Sequence, residues 1–153
     1  MDYNTEQLDE IKIIGLKIRT TNENNQAGTD IFHVWDRIFK EDIPGKIPNK
    51  TGDEMYGIYF DYEGDYTKPY SFIVGCPVSS LDDIPEGMDS VVLNAGKYAH
   101  IIAKGKMPDC IVETWQEIWK SDLDRAYGTD YEVYGAKSQD PGNAEVDVYL
   151  SVK

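Results

Sequence analysis

The sequence is poor in cysteine, in histidine and in basic clusters, and it has no long apolar run. Each shortage removes a class of function. Two cysteines, Cys76 and Cys110, do not make a secreted disulfide framework. His33 and His100 have no His, Cys or Asp partner at zinc spacing, so each reads as an ordinary helix or strand residue and no metal is expected. Asp61, Glu63 and Asp65 hint at calcium, but Tyr66 stands where an EF-hand needs glycine and Phe72 where it needs glutamate. No Walker loop, dinucleotide fingerprint or Gly-x-Ser-x-Gly elbow is present, so no cofactor is expected either. No apolar stretch approaches the ~20 residues of a membrane span, and Met1-Asp2-Tyr3-Asn4 lacks the basic and apolar regions of a signal peptide. Fifteen Lys and Arg against 28 Asp and Glu give a net charge of −13, which repels a phosphate backbone. The expectation is a cytoplasmic acidic domain over residues 1–153, with no direct DNA contact and no membrane. At 41% hydrophobic residues it can bury its own core.

What is plentiful is tyrosine. The chain has 11 Tyr, 3 Trp and 4 Phe. Tyrosine joins a flat apolar ring to a polar tip, which suits either a β-sheet surface or a half-wet pocket. An acidic, ring-rich protein is physically matched to flat organic cations, through cation–π attraction and carboxylate neutralisation.

The chain also repeats itself. The run Trp35-Asp36-Arg37-Ile38-Phe39-Lys40-Glu41-Asp42-Ile43 lies without a gap on Trp115-Gln116-Glu117-Ile118-Trp119-Lys120-Ser121-Asp122-Leu123. Both read as amphipathic helices: Ile31, Val34, Trp35, Ile38 and Phe39 share one face, as do Ile111, Trp115, Ile118 and Trp119. Thr29 or Asp30 is the expected cap of the first, and the second starts near Met107-Pro108-Asp109. Each helix is followed by a Tyr-x-aliphatic-Tyr strand (Tyr56–Tyr59, Tyr131–Tyr134), a Gly/Asp turn, and a further strand (Tyr70–Val78, Ala144–Val152). Strand-like stretches, Glu10–Arg19 and Met88–Lys104, precede the helices, with Gly15 and Gly96 marking expected bulges. The unit is strand, helix, strand, strand, used over about 10–80 and again over about 88–153. It predicts an α+β fold with an antiparallel-rich sheet, both helices on one side, a pseudo-twofold axis and a ligand cleft at the seam.

Glu132 is the position with the strongest chemical signal. It interrupts a run of aromatic and β-branched residues, where glutamate has low propensity. Its counterpart in the first repeat is Gly57, so one copy supplies a carboxylate and the other a hollow. Alternation puts Glu132 and Tyr134 on one face of the strand, with Tyr131 and Val133 on the other. The alternative is a solvated strand glutamate. Trp115 likewise reads as a core residue by periodicity or as the floor of a cleft.

The doubled unit resembles the GyrI-like family, the stand-alone relatives of the effector-binding domain of AraC-type and multidrug-sensing regulators. The resemblance is carried by Tyr56-Gly57-Ile58-Tyr59-Phe60-Asp61, Pro85-Glu86-Gly87-Met88, Ala95-Gly96-Lys97-Tyr98, Glu113-Thr114-Trp115-Gln116 and Tyr131-Glu132-Val133-Tyr134, and spans about residues 11–152. It implies the tandem SHS2-type fold and a glutamate at the bottom of a cleft for cationic or amphipathic aromatic molecules, here Glu132. The same spatial logic makes Tyr56, Tyr59, Tyr98, Tyr134 and Tyr149 candidate walls, with Trp35 and Trp119 beside them. Two other activities of the family follow by resemblance. One is hydrolysis of cyclopropane-bearing genotoxins, with Glu132 as acid or base and Trp115 as its aromatic partner. The other is a protein-interaction role with gyrase or a regulator, in which the acidic surface mimics DNA charge. No helix-turn-helix pattern is visible, so direct transcription control is not expected of this chain.

Overall fold

Val146, Val148 and Leu150 alternate with Asp147, Tyr149 and Ser151, so the last strand has one dry face, and those three aliphatic residues are completely buried. The computed structural model describes residues 2–153. Its strands are β1 (Asn4–Leu8), β2 (Ile11–Thr20), β3 (Met55–Phe60), β4 (Tyr70–Val78), β5 (Asp89–Leu93), β6 (Gly96–Gly105), β7 (Asp130–Tyr134) and β8 (Ala144–Ser151). Three helices join them: α1 (Gln26–Lys40), the single turn α2 (Ile43–Lys46) and α3 (Asp109–Lys120). All eight strands form one antiparallel sheet in the order β1-β6-β8-β7-β3-β4-β2-β5.

That order reads the same from both ends once each strand is exchanged for its repeat partner. β1 corresponds to β5, β2 to β6, β3 to β7 and β4 to β8, so a pseudo-twofold axis passes between β3 and β7. Each repeat contains one strand more than the sequence pattern suggests. The stretch Met88–Lys104 breaks at Asn94-Ala95 into β5 and β6, and β1 is added at the start. Each repeat lends its first strand to the other half, β1 pairing with β6 and β5 with β2. The sequence of β1, Asn-Thr-Glu-Gln-Leu, has no apolar alternation because it is a largely exposed edge strand.

β1 and β2 are joined by two residues, Asp9 and Glu10, yet stand six places apart in the sheet. Six flat spacings of ~4.8 Å would separate them by ~29 Å, whereas so short a link reaches ~11 Å. The sheet therefore curls toward itself. It curls around the face away from the helices, where Ile13, Ile58, Ile73, Leu93 and Tyr131 are buried without any covering helix. Gly15 and Gly75 face each other across β2 and β4 on the inside of this bend, in a continuous register with no bulge. A Cβ on Gly15 would lie 2.0 Å from the Val74 carbonyl oxygen, and one on Gly75 would lie 2.2 Å from that of Ile14. Only glycine permits that approach.

Both long helices pack on the other face. Val34 and Ile38 of α1 lie on Leu16, Phe72 and Val74, while Trp115 and Ile118 of α3 lie on Ile101, Val146 and Val148. α1 begins at Gln26, ahead of Thr29 and Asp30. Asn24 and Asn25 adopt left-handed φ values of 54° and 57°, which asparagine tolerates, and they launch the helix early. Asp30 instead accepts hydrogen bonds from Thr20 Oγ1 (2.8 Å) and Gln26 (3.1 Å) inside the helix. Phe39, expected on the buried face, is 74% exposed. The apolar stripe of α1 is wider than its contact with the sheet: Val34 and Ile38 point down while Phe39 is left in solvent.

Candidate functional site: a buried glutamate on the pseudo-dyad

β3 and β7 are the central pair, and in their register Gly57 lies directly opposite Glu132. These two are also equivalent positions in the repeats, so the pair sits on the axis itself. A glutamate in both copies would set two carboxylates against each other in a dry place. Glycine in one copy removes that conflict and leaves room for the other. A Cβ on Gly57 would meet Glu132 Oε1 and Phe72 Cζ, each at 3.3 Å.

Glu132 is 2% exposed. Trp115 Nε1 donates to its Oε2 at 2.5 Å, Tyr59 OH donates to the same oxygen at 3.0 Å, and Tyr134 OH donates to Oε1 at 2.6 Å. Tyr59 and Tyr134 occupy equivalent positions in the two repeats, so the carboxylate is held from both sides of the dyad. Burial pushes the Glu132 carboxyl above its ordinary value of 4.5, and the three donors pull it back only in part. Burial and the neighbouring carboxylate push the Tyr59 and Tyr134 hydroxyls well up, so both remain donors at any working pH. No lysine or arginine pairs with Glu132 among the described residues. A buried carboxylate held only by neutral donors is poised either to change protonation state or to receive a cation.

Rings surround it. Trp35 meets Tyr134 edge-on with centroids 5.0 Å apart, and Trp115 meets Tyr59 at 4.9 Å. Phe32, Trp35 and Phe39 fall on one stripe of α1, and Val112, Trp115 and Trp119 on the equivalent stripe of α3. Phe32 is 66% exposed and Val112 50%, an unusual outlay of apolar surface beside a buried acid. Trp119 stacks on Tyr66 at 5.5 Å with the rings nearly parallel. Beneath α3, the Arg125 guanidinium lies 4.3 Å from the Tyr127 centroid and 5.8 Å from that of Trp115. It donates to Asp130 Oδ2 at 2.8 Å. An internal cation thus already rests on the rings next to the glutamate.

The structure brings Glu132, Gly57, Trp115, Tyr59, Tyr134 and Trp35 together, with Trp119 on the same helix stripe as Trp115. It places Tyr56, Tyr98 and Tyr149 on the opposite face of the sheet. Strand periodicity requires this, because Tyr56 is three residues from Tyr59 and Tyr149 is adjacent to inward-facing Val148. Tyr98 is fully used there, its hydroxyl contacting Asn94 O and Thr129 Oγ1 at 2.7 Å each. Phe32, Phe39, Tyr66 and Arg125 were not legible as site residues. Only Phe32 and Phe39 carried a signal, their helical spacing from Trp35. Cys76 and Cys110 are buried free thiols, pushed up by that burial.

The model of the integron-associated effector binding protein family (Cass2) matches residues 5–152. The chain belongs to that family. A crystal structure of the integron cassette protein VCH_CASS2 from Vibrio cholerae superposes with a TM-score of 0.77 at 27% identity, covering 99% of this chain and 95% of that one. A SAV2435 structure bound to tetraphenylphosphonium shares the fold, with a TM-score of 0.81 at 19% identity over 100% of this chain and 94% of that one. Among curated relatives, YobU of Bacillus subtilis is 28% identical over 151 residues, covering 95% of this chain and 94% of its own. The transcriptional regulator BrlR of Pseudomonas aeruginosa is 28% identical over 134 residues, which span 82% of this chain and 47% of that regulator. The GyrI-like fold of the sequence analysis stands, and as an effector-binding protein the chain binds small molecules.

Proposed function

We propose that this Cass2-family protein binds lipophilic aromatic cations between the α1 and α3 stripes, with Glu132 as the counter-charge. The observation that carries this reading is a fully buried carboxylate with three neutral donors and no cationic partner among the described residues, set on the dyad between two rows of rings. An arriving cation supplies the missing charge, and the surrounding rings add cation–π attraction where water is excluded. Trp35 and Tyr134, both only partly buried, are the side chains that give way. That the SAV2435 structure holds tetraphenylphosphonium supports the same ligand class for this fold.

Tetraphenylphosphonium and neutral triphenylphosphine oxide form a suitable pair of probes, followed by quenching of the three tryptophans. The expected result is saturable binding of the cation with a Kd on the order of 10 μM, about −7 kcal/mol, and at least ten-fold weaker binding of the oxide. Equal affinities for the two would remove the role of charge and with it the proposal.

A further inference from the structure

The face of the sheet away from the helices carries a cavity of about 280 Å³ between the β1–β2 link and strands β3, β7 and β8. Its wall is a ladder of tyrosines: Tyr56 stacks on Tyr131 at 5.7 Å, and Tyr131 on Tyr149 at 5.0 Å. Tyr149 in turn stacks on His100 at 4.4 Å, and His100 is held between Glu6 (2.6 Å) and Asp147 (2.8 Å). Tyr131 is 2% exposed and Tyr56 8%, yet neither hydroxyl has a hydrogen-bond partner among the described residues, and nor has that of Tyr149. All three rings line the cavity, and their hydroxyl oxygens are open to it rather than sealed off. Asp9, Glu54 and Asp147 supply the charge around them, and no lysine or arginine contributes to the lining.

The second repeat supplies the Tyr131, Tyr149 and His100 rungs of this ladder, and Tyr56 of the first repeat adds the last. Register makes Gly15 and Gly75 the equivalents of His100 and Tyr149, since Gly75 pairs with Tyr56 as Tyr149 pairs with Tyr131. In the first repeat, two backbones therefore close on each other where the second repeat places two stacked rings. The local field is negative: after burial, the carboxylates Glu54 and Asp147 raise the Tyr56 hydroxyl, and Tyr149 is pushed up to about 12 by burial and then Asp147.

We infer that this cavity is a second cation site, specific for small arylalkyl primary ammonium compounds. The ring lies on the tyrosine ladder, and the ammonium N–H groups donate to the phenol oxygens that open into the cavity and to the rim carboxylates. Primary amines fit where a quaternary or phosphonium cation does not, because only the primary ammonium has N–H groups to donate to the phenol and carboxylate oxygens. The volume is at the low end for a ligand pocket, which excludes a four-ring cation. The inference is independent of Glu132, which lies on the other face of the sheet.

Titration of the intact protein with 2-phenylethylammonium, followed by amide chemical shifts, tests it, with neutral 2-phenylethanol as the control. Expected are shifts centred on Tyr56, Tyr131 and Tyr149, at least ten-fold weaker binding of the alcohol, and at least a five-fold loss in Asp9→Asn/Glu54→Gln. Both of those positions are exposed, so the variant keeps its fold. Glu132→Gln should change the affinity by less than two-fold. The inference is overturned if the alcohol binds equally, if no shift appears on this face, or if Glu132→Gln abolishes binding because the amine has gone to Glu132 on the helix side of the sheet.

Discussion

Glu132→Gln should weaken tetraphenylphosphonium binding by ten-fold or more while leaving the protein as stable as before, or more stable. The loss follows from removing the buried negative charge that has no cationic partner among the described residues, each decade corresponding to about 1.4 kcal/mol. The stability side follows from the geometry. A glutamine oxygen still accepts from Trp115 and Tyr59, and its amide can donate to the Tyr134 oxygen, so of the three donors only the Tyr134 O–H, on a partly buried ring, must turn to another acceptor. The pH dependence has a definite sign. The Glu132 carboxyl is raised in the fold relative to its ordinary value of 4.5, so the native state holds its proton more tightly than the unfolded chain. Its contribution to stability is complete below the unfolded value and is lost as pH rises through the folded value. The stability of the variant minus that of the parent should therefore increase from pH 4 toward neutrality in urea titrations. A difference independent of pH would mean that the carboxyl is not perturbed.

A second large effect is expected two residues away. Asp130 is completely buried and Arg125 is 6% exposed, and their 2.8 Å contact is supported by Tyr62 OH donating at 2.7 Å to Asp130 Oδ2. Ser151 N donates to the other carboxylate oxygen at 2.8 Å. Arg125 Nε and Nη1 are buried without hydrogen-bond partners, so the guanidinium depends on Asp130 and on the faces of Tyr127 and Trp115. Asp130→Asn turns an acceptor toward Arg125 into a donor and leaves a buried cation without its anion. The expected cost is about 3–5 kcal/mol, a fall in Tm of about 10 °C. Adding Arg125→Met should recover a large part of it, since the orphaned charge is then gone. A loss below about 1 kcal/mol in thermal unfolding would show that the pair is solvated rather than buried.

How far the residues alone foretold this can be judged at particular places. The repeat was visible because the helix stripes and the Tyr-x-x-Tyr strands carry strong periodicity. The Gly57–Glu132 relation was visible for the same reason, and it became a site only when the register put both on the axis. The exchanged strands were not visible. β1 is polar and exposed, and β5 runs into β6 through two residues without a proline or a charge run. The tyrosine count hid a division. Composition pooled all the rings into one cleft, whereas period-2 alternation sends Tyr56 and Tyr149 to one face and Tyr59 and Tyr134 to the other. Phe39 was taken up by the expectation that apolar helix positions are buried, and its exposure depends on where the sheet ends, which no local pattern encodes.

The central claim is that the Glu132 carboxylate is the counter-charge of an incoming cation, and carbon-13 NMR of its side-chain carboxyl observes that pairing directly. With tetraphenylphosphonium added to saturation, the Glu132 carboxyl resonance, assigned by its absence in Glu132→Gln, should move and its titration midpoint should fall below that of the unliganded protein. A resonance that keeps its position and its midpoint at saturation would place the cation elsewhere and contradict the account.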